Sequence, residues 1–206
     1  MRAPSAPSRG SGGAQLGEAS GLATRLERLE RERSKWRFNG SARPPHAEAP
    51  GPGQESVWDY PRPPRVEPVS AQLVVEFAGA TLADTRRALR VVETSSPPVY
   101  YLPPSDVALD RLETCDRHTF CEWKGVAEHL SVRVGDRQAV DAAWRYRDPD
   151  SSYASIRDYI AFYAGRVDDA RIDGVPVTPQ PGDFYGGWIT ADLVGPYKGE
   201  PGSENW

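Results

Sequence analysis

No apolar run in this chain approaches the roughly 20 residues that a helix needs to cross a bilayer. No apolar stretch follows Arg2 and Arg9, as a secretory leader would require. The only cysteines are Cys115 and Cys121, too few for a disulfide framework in a domain of this size, and they read as reduced thiols of a cytoplasmic protein. Basic residues are not in excess. The 25 Lys and Arg against 29 Asp and Glu leave a net charge of −4, which cannot neutralise many phosphates and argues against nucleic-acid binding. A Gly-x-x-x-x-Gly-Lys phosphate loop is also missing. With hydrophobic residues at 38%, part of the chain is expected outside any core. In 206 residues that leaves room for one folded domain plus a tail.

Residues 1–56 differ in kind from the rest. Met1 to Gly21 and Asn39 to Gly53 are rich in Pro, Gly, Ala and Ser, with too few apolar side chains to offset the entropy of ordering, so a disordered tail is expected. Between them, at about 21–37, lies a charged helix-forming segment in which Leu22, Leu26, Leu29 and Trp36 share a face. That stripe can recruit a protein partner or dock on the domain. The bland reading, a solvated helix too short to be stable alone, is preferred because sustained heptads are absent.

From residue 57 to 206 the pattern is that of a mainly β, compact antiparallel domain. Trp58 and Tyr60 anchor an extended proline-rich entry, Val57 to Pro64. Leu73, Val75 and Phe77 alternate up to Gly79, and Leu89 to Glu93 runs into a break at Pro97-Pro98. Strands are expected at 118–124, 126–134 and 138–146, and Asp173-Gly174 signals a type I′ hairpin. Placing Leu130, Val132 and Val134 on one side with Val140, Ala142 and Trp144 demands an extra, bulged residue near Arg137 rather than a plain two-residue turn at Gly135-Asp136. One short helix is expected after Pro149, capped by Asp150 or Ser151, then a strand at Ile160 to Tyr163. An aromatic, glycine-punctuated extension from about 180 is expected to wrap over the sheet.

Several segments together resemble the domain of unknown function 427 (DUF427) family. They are Val57-Trp58-Asp59-Tyr60-Pro61-Arg62-Pro63-Pro64, Pro98-Val99-Tyr100-Tyr101-Leu102-Pro103-Pro104, Thr119-Phe120-Cys121-Glu122-Trp123-Lys124-Gly125 and Ala142-Ala143-Trp144-Arg145-Tyr146. The resemblance starts at about residue 56 and includes a C-terminal extension seen in some members, here Phe184 to Thr190 and Leu193 to Gly199. It implies a compact β fold, a β-tent-like pair of small sheets. A nucleotidyltransferase label is attached to the family, but no established activity accompanies it.

Nucleotidyl transfer needs metal-holding carboxylates and a cradle for phosphates. Asp168-Asp169 is the only adjacent acidic pair of the strand region, and no glycine loop precedes it; the activity stays a minor alternative. Cys115, His118 and Cys121, with His129 or Glu113, have ligand chemistry for zinc but lack paired Cys-x2-Cys knuckles, so no metal is assigned. Cys121 reads as a small buried hydrophobe packed on Trp123, because strand alternation puts Lys124 on the other face. Glu93 and Lys124 can meet as a buried ion pair at a pocket mouth or as a surface salt bridge. Tyr100, Tyr101, Trp123, Trp144 and Tyr146 can form an aromatic cage for a cationic or planar ligand or fill a core.

The leading reading is a small-ligand-binding domain with Glu93, Tyr100, Trp123, Lys124, Trp144 and Tyr146 at its site. The alternative is a protein-interaction or structural module without catalysis. The expected partner is a small molecule, with neither nucleic acid nor membrane; whether the chain is an enzyme, and with what cofactor, is open.

Overall fold

The structure, a computed structural model, describes residues 27–206. The chain divides into two compact units between Lys35 and Trp36. In the first, residues 27–33 are helical, and Lys35 pairs with Glu32 at 2.5 Å. The remainder of the expected helix, and the tail before it, lie outside the described residues. The second unit runs from Trp36 to Trp206, so it takes in residues 36–56, which the composition had assigned to the tail. Phe38 and Ala47 pack there against Val57, Trp58, Tyr60, Val92 and Leu193. Rings, not composition, hold this stretch: His46 stacks on Trp206 and meets Trp58 edge-on.

The second unit is mainly antiparallel β. Its strands are β1 (Glu55–Ser56), β2 (Arg65–Pro68), β3 (Leu73–Phe77), β4 (Ala80–Thr85), β5 (Leu89–Glu93), β6 (Ser96–Tyr101), β7 (Leu112–Cys121) and β8 (Gly125–Val134). There follow β9 (Arg137–Arg145), β10 (Ala161–Phe162), β11 (Asp169–Ile172), β12 (Val175–Pro176), β13 (Thr178–Pro179), β14 (Trp188–Ile189) and β15 (Leu193–Val194). Where the sequence suggested two small sheets, these strands divide into three larger ones, ordered β10-β9-β8-β7, β12-β11-β3-β4 and β2-β5-β6, plus two two-stranded pairings. Pro97 and Pro98 do not break the chain. They lie inside β6, the last strand of its sheet, where a missing N–H is tolerated. The short helix is a 3₁₀ segment, Ser151–Ile156, and Asp150 caps it by accepting from the Ser152 N–H. Among the described residues no helix is long and apolar enough to cross a membrane.

The hairpin of β8 and β9 corrects one expectation. Val134 pairs with Arg137 and Val132 with Ala139, a plain two-residue turn without a bulge at Arg137. The irregularity lies farther along, where Leu130 pairs with Ala143, so that two extra residues fall in β9. Asp141 takes a positive φ of 51° there, and its N–H donates to Ser131 Oγ at 3.2 Å. The expectation failed because it assumed one buried face. Leu130, Val132 and Ala143 belong to one core, while Ala127, Trp144 and Ala161 belong to another across the same sheet. Apolar residues on successive positions therefore demand no slip.

The C-terminal extension meets both cores: Gly186 lies against Trp144 and Tyr163 of the second, and Trp188 belongs to the first. Trp188 is fully buried and donates its indole N–H to the Phe162 carbonyl at 2.9 Å. Gln180 staples the segment, accepting from the Gly187 N–H at 2.9 Å and donating to the Lys198 carbonyl at 2.8 Å.

Candidate functional site

A hollow of about 300 Å³ opens beside the second core. Its base comes from strands β5, β6, β7 and β9 and from residues outside them, including Val91, Tyr101, Cys121, Trp144, Tyr146 and Tyr163. Its roof comes from Trp36 and from Gln180, Phe184, Tyr185, Gly186 and Lys198. That volume is about twice the roughly 150 Å³ that accommodates a benzene ring.

Of the six residues nominated from the sequence, Glu93, Lys124, Trp144 and Tyr146 line the hollow. Tyr100 does not. It lies on the opposite side of β6, in the other core, with its ring 5.3 Å from Trp188, and its neighbour Tyr101 takes the facing position by alternation. Trp123 is buried in the second core, outside the lining. Cys121 and Lys124, expected on opposite faces, line the same hollow. Strand β7 ends at Cys121, residues 122–124 form a turn and Gly125 takes a φ of 99°, so period-two alternation stops before it reaches Lys124.

The ion pair considered between Glu93 and Lys124 is not formed. Glu93 accepts instead from Arg62 Nε at 3.0 Å. The Arg62 guanidinium also donates to the carbonyls of Phe38 at 2.8 Å and Thr94 at 3.0 Å, and its side chain is 3% exposed. Lys124 is 9% exposed. Its Nζ lies 6.0 Å from the centre of the Tyr153 ring, and no carboxylate among the described residues comes within ion-pair distance of it. Burial works against its charge, but the acidic groups facing it, Cys121 first and then Tyr146, Tyr101 and Glu93, prevail and hold its pKa well above the ordinary lysine value. Lys124 is thus an ammonium at neutral pH.

The tyrosine pKa values are raised as well. Burial pushes Tyr101 up to about 12 in spite of Lys124, and burial lifts Tyr146 well above its ordinary range. Both keep their protons at neutral pH. Among the described residues neither O–H has a protein acceptor, although the Trp144 indole N–H addresses the Tyr101 oxygen. The roof carries Lys198, whose Nζ sits 3.4 Å from the centre of the Trp36 ring and donates to the Trp206 carbonyl at 2.9 Å. Burial, then repulsion from Arg62, lowers Lys198 to about 8 against the pull of Glu93 and Glu122. The Trp36 indole N–H donates to Glu122.

Other candidate chemistry is dispersed. Cys115 donates to Asp141 Oδ1 at 2.9 Å, the His118 ring contacts the Asp116 carbonyl, and Glu113 pairs with Arg133 at 2.7 Å. Asp168 is held by two nitrogens of Arg137, each at 2.8 Å, and Asp169 by Arg171. Among the described residues no group of three or more His, Cys, Asp or Glu side chains is placed to hold a metal ion.

Sequence reasoning missed Trp36, Tyr163, Tyr185 and Lys198. Tyr163 was quoted only as part of a strand, and the other three are far in sequence from the residues they cover. The available signal was the density of rings in the extension, which implied burial but not against what. A family model described as a domain of unknown function (DUF427) matches residues 65–173. No curated protein matches the chain.

Proposed function

The chain belongs to the DUF427 family, and we propose that it is a small-ligand-binding domain whose site is the hollow between strands β5, β6, β7 and β9 and the C-terminal extension. One observation carries the reading: aromatic side chains enclose about 300 Å³ that contains a buried ammonium. Small-molecule sites have this constitution, mostly apolar and aromatic walls with a few convergent polar groups. A plain core would close such a space, because interiors pack to crystal-like density.

Thermal-shift screening against a metabolite collection tests the proposal. A ligand at 100 times its Kd stabilises the native state by about 2.7 kcal/mol, enough for a shift of several degrees. Hits are expected with wild type and lost in Gly186→Val, whose side chain would collide with Trp144 and displace that ring of the lining. A flat screen, or shifts that survive that substitution, would remove the proposal.

The interaction-module reading has one observation of its own. Phe120 and Val126 pair across β7 and β8 and are both exposed, and β7 is the outer strand of its sheet. The nucleotidyltransferase reading gains nothing from Asp168 and Asp169, since each faces an arginine.

A further inference from the structure

We infer that the hollow is a carboxylate site, taking a planar organic acid of one or two rings with its carboxylate on Lys124 Nζ and the hydroxyls of Tyr101 and Tyr146. This rests on the ligand-binding reading above and names the ligand class.

Charge balance points to an anion. Around the hollow stand three cations, Arg62, Lys124 and Lys198, and two carboxylates, Glu93 and Glu122. Both carboxylates have partners: Glu93 accepts from Arg62, and Glu122 accepts from the Trp36 indole. Lys198 feels both of them. One positive charge remains over, and it is the one on Lys124, which is nine-tenths buried. No carboxylate among the described residues pairs with Lys124, so an anion arriving beside it supplies the missing ion-pair partner. A cationic ligand would add to the imbalance, because no carboxylate in the lining is left without a partner.

Donor geometry points the same way. Lys124, Tyr101 and Tyr146 all line the hollow. The Tyr101 and Tyr146 rings are 6.3 Å apart. An ammonium and two hydroxyl protons without protein acceptors suit an oxygen anion, whose lone pairs accept all three. The rest of the ligand then lies along the faces of Trp144 and Tyr163, whose ring centres are 4.5 Å apart, with room for one or two rings. A carboxylate fits better than a phosphate. No arginine fork lines the hollow, and a single excess positive charge matches a monoanion.

Tryptophan-fluorescence and calorimetric titrations of the full chain with matched probes test the inference: benzoate and 2-naphthoate, their amides, the corresponding arylmethylamines, and phenyl phosphate. The carboxylates are expected to bind at least tenfold more tightly than the amides. Lys124→Met should bring carboxylate affinity down to that of the amides while leaving amide affinity within about threefold of wild type. Amides or amines binding as well as carboxylates would overturn the carboxylate assignment and leave the ligand-binding reading intact; phenyl phosphate binding more tightly than benzoate would do the same. Silence from all four classes would overturn both.

Should Lys124→Met fail to fold, Cys121 gives a second readout in wild type, since it lines the same hollow. Iodoacetate and iodoacetamide each form an S–CH2 bond with loss of iodide, but only the first carries a carboxylate. The iodoacetate-to-iodoacetamide rate ratio at Cys121, read by mass spectrometry, should be at least tenfold higher in the native chain than in urea. An unchanged ratio would overturn the inference.

Discussion

Arg62 holds Glu93 at 3.0 Å and so keeps that carboxylate from Lys124, leaving the lysine charge directed into the hollow. Breaking this arrangement from one side should be costly. Arg62→Met strands a partly buried carboxylate and removes donors from the Phe38 and Thr94 carbonyls, a loss on the order of 3 kcal/mol. Adding Glu93→Gln to that variant should recover part of the loss. Urea unfolding of the two single variants and the double variant measures the coupling, and simple additivity would contradict it.

His129 should make the fold acid-sensitive. The ring is 1% exposed, its Nε2 lies 3.0 Å from Thr119 Oγ1, and its Nδ1 has no partner among the described residues. Burial, then Arg117, lowers its pKa from 6.5 to about 4, with Arg166 and His118 adding to the effect and Asp141 opposing it. Between pH 6.5 and 4 the unfolded chain binds a proton that the folded chain refuses. This contribution is therefore full above pH 6.5 and is lost as pH falls toward 4, on the order of 3 kcal/mol. His129→Gln should flatten that part of the stability profile relative to wild type, measured by urea unfolding from pH 4 to 7.

Lys198 should act at the alkaline end. Its pKa falls from 10.5 to about 8 on burial, so between those values the unfolded chain carries a proton that the folded chain has released. Stability from this group rises as pH climbs from about 8 toward 10.5 and is absent below 8, on the order of 3 kcal/mol in all. Lys198→Met should remove the rise. Parallel profiles for wild type and variant across that window would contradict the assignment.

Gly186 sets how closely the roof approaches the base. A Cβ there would lie 2.2 Å from Trp144 Cη2 and 3.2 Å from Tyr163 Cδ1. Gly186→Ala should therefore push the Trp144 ring into the hollow, destabilise by about 1–3 kcal/mol, and weaken probe binding together with Tm. An alanine variant with wild-type Tm and affinity would show that the roof yields freely.

What could be read from the sequence was what is local. Asp173-Gly174 forms the I′ turn, with φ of 47° and 78° and Ile172 paired with Val175, because two left-handed residues in a row leave the chain few other paths. The Asp150 cap was equally local. The displaced bulge was not, since it depends on Ser131 reaching Asp141 and on a sheet covered on both faces. At the site, Tyr100 and Tyr101 could not be told apart without knowing which side of β6 faced the hollow. Lys124 lines the hollow, and the expectation that Cys121 would face away from it assumed a strand that in fact ends three residues sooner. Lys198 and Trp36 come together across the whole length of the unit, a pairing that no short-range pattern encodes.

The division of the hollow between base and roof has an evolutionary corollary. Glu93, Tyr101, Lys124, Trp144 and Tyr146 fall inside the span matched by the family model, whereas Trp36, Gln180, Tyr185, Gly186 and Lys198 fall outside it. On the proposed reading, the anchoring end lies within the part shared with the family and the enclosing end lies beyond it. Trading one C-terminal segment for another would retailor the size and outline of the accepted molecule while leaving its electrostatic tether untouched.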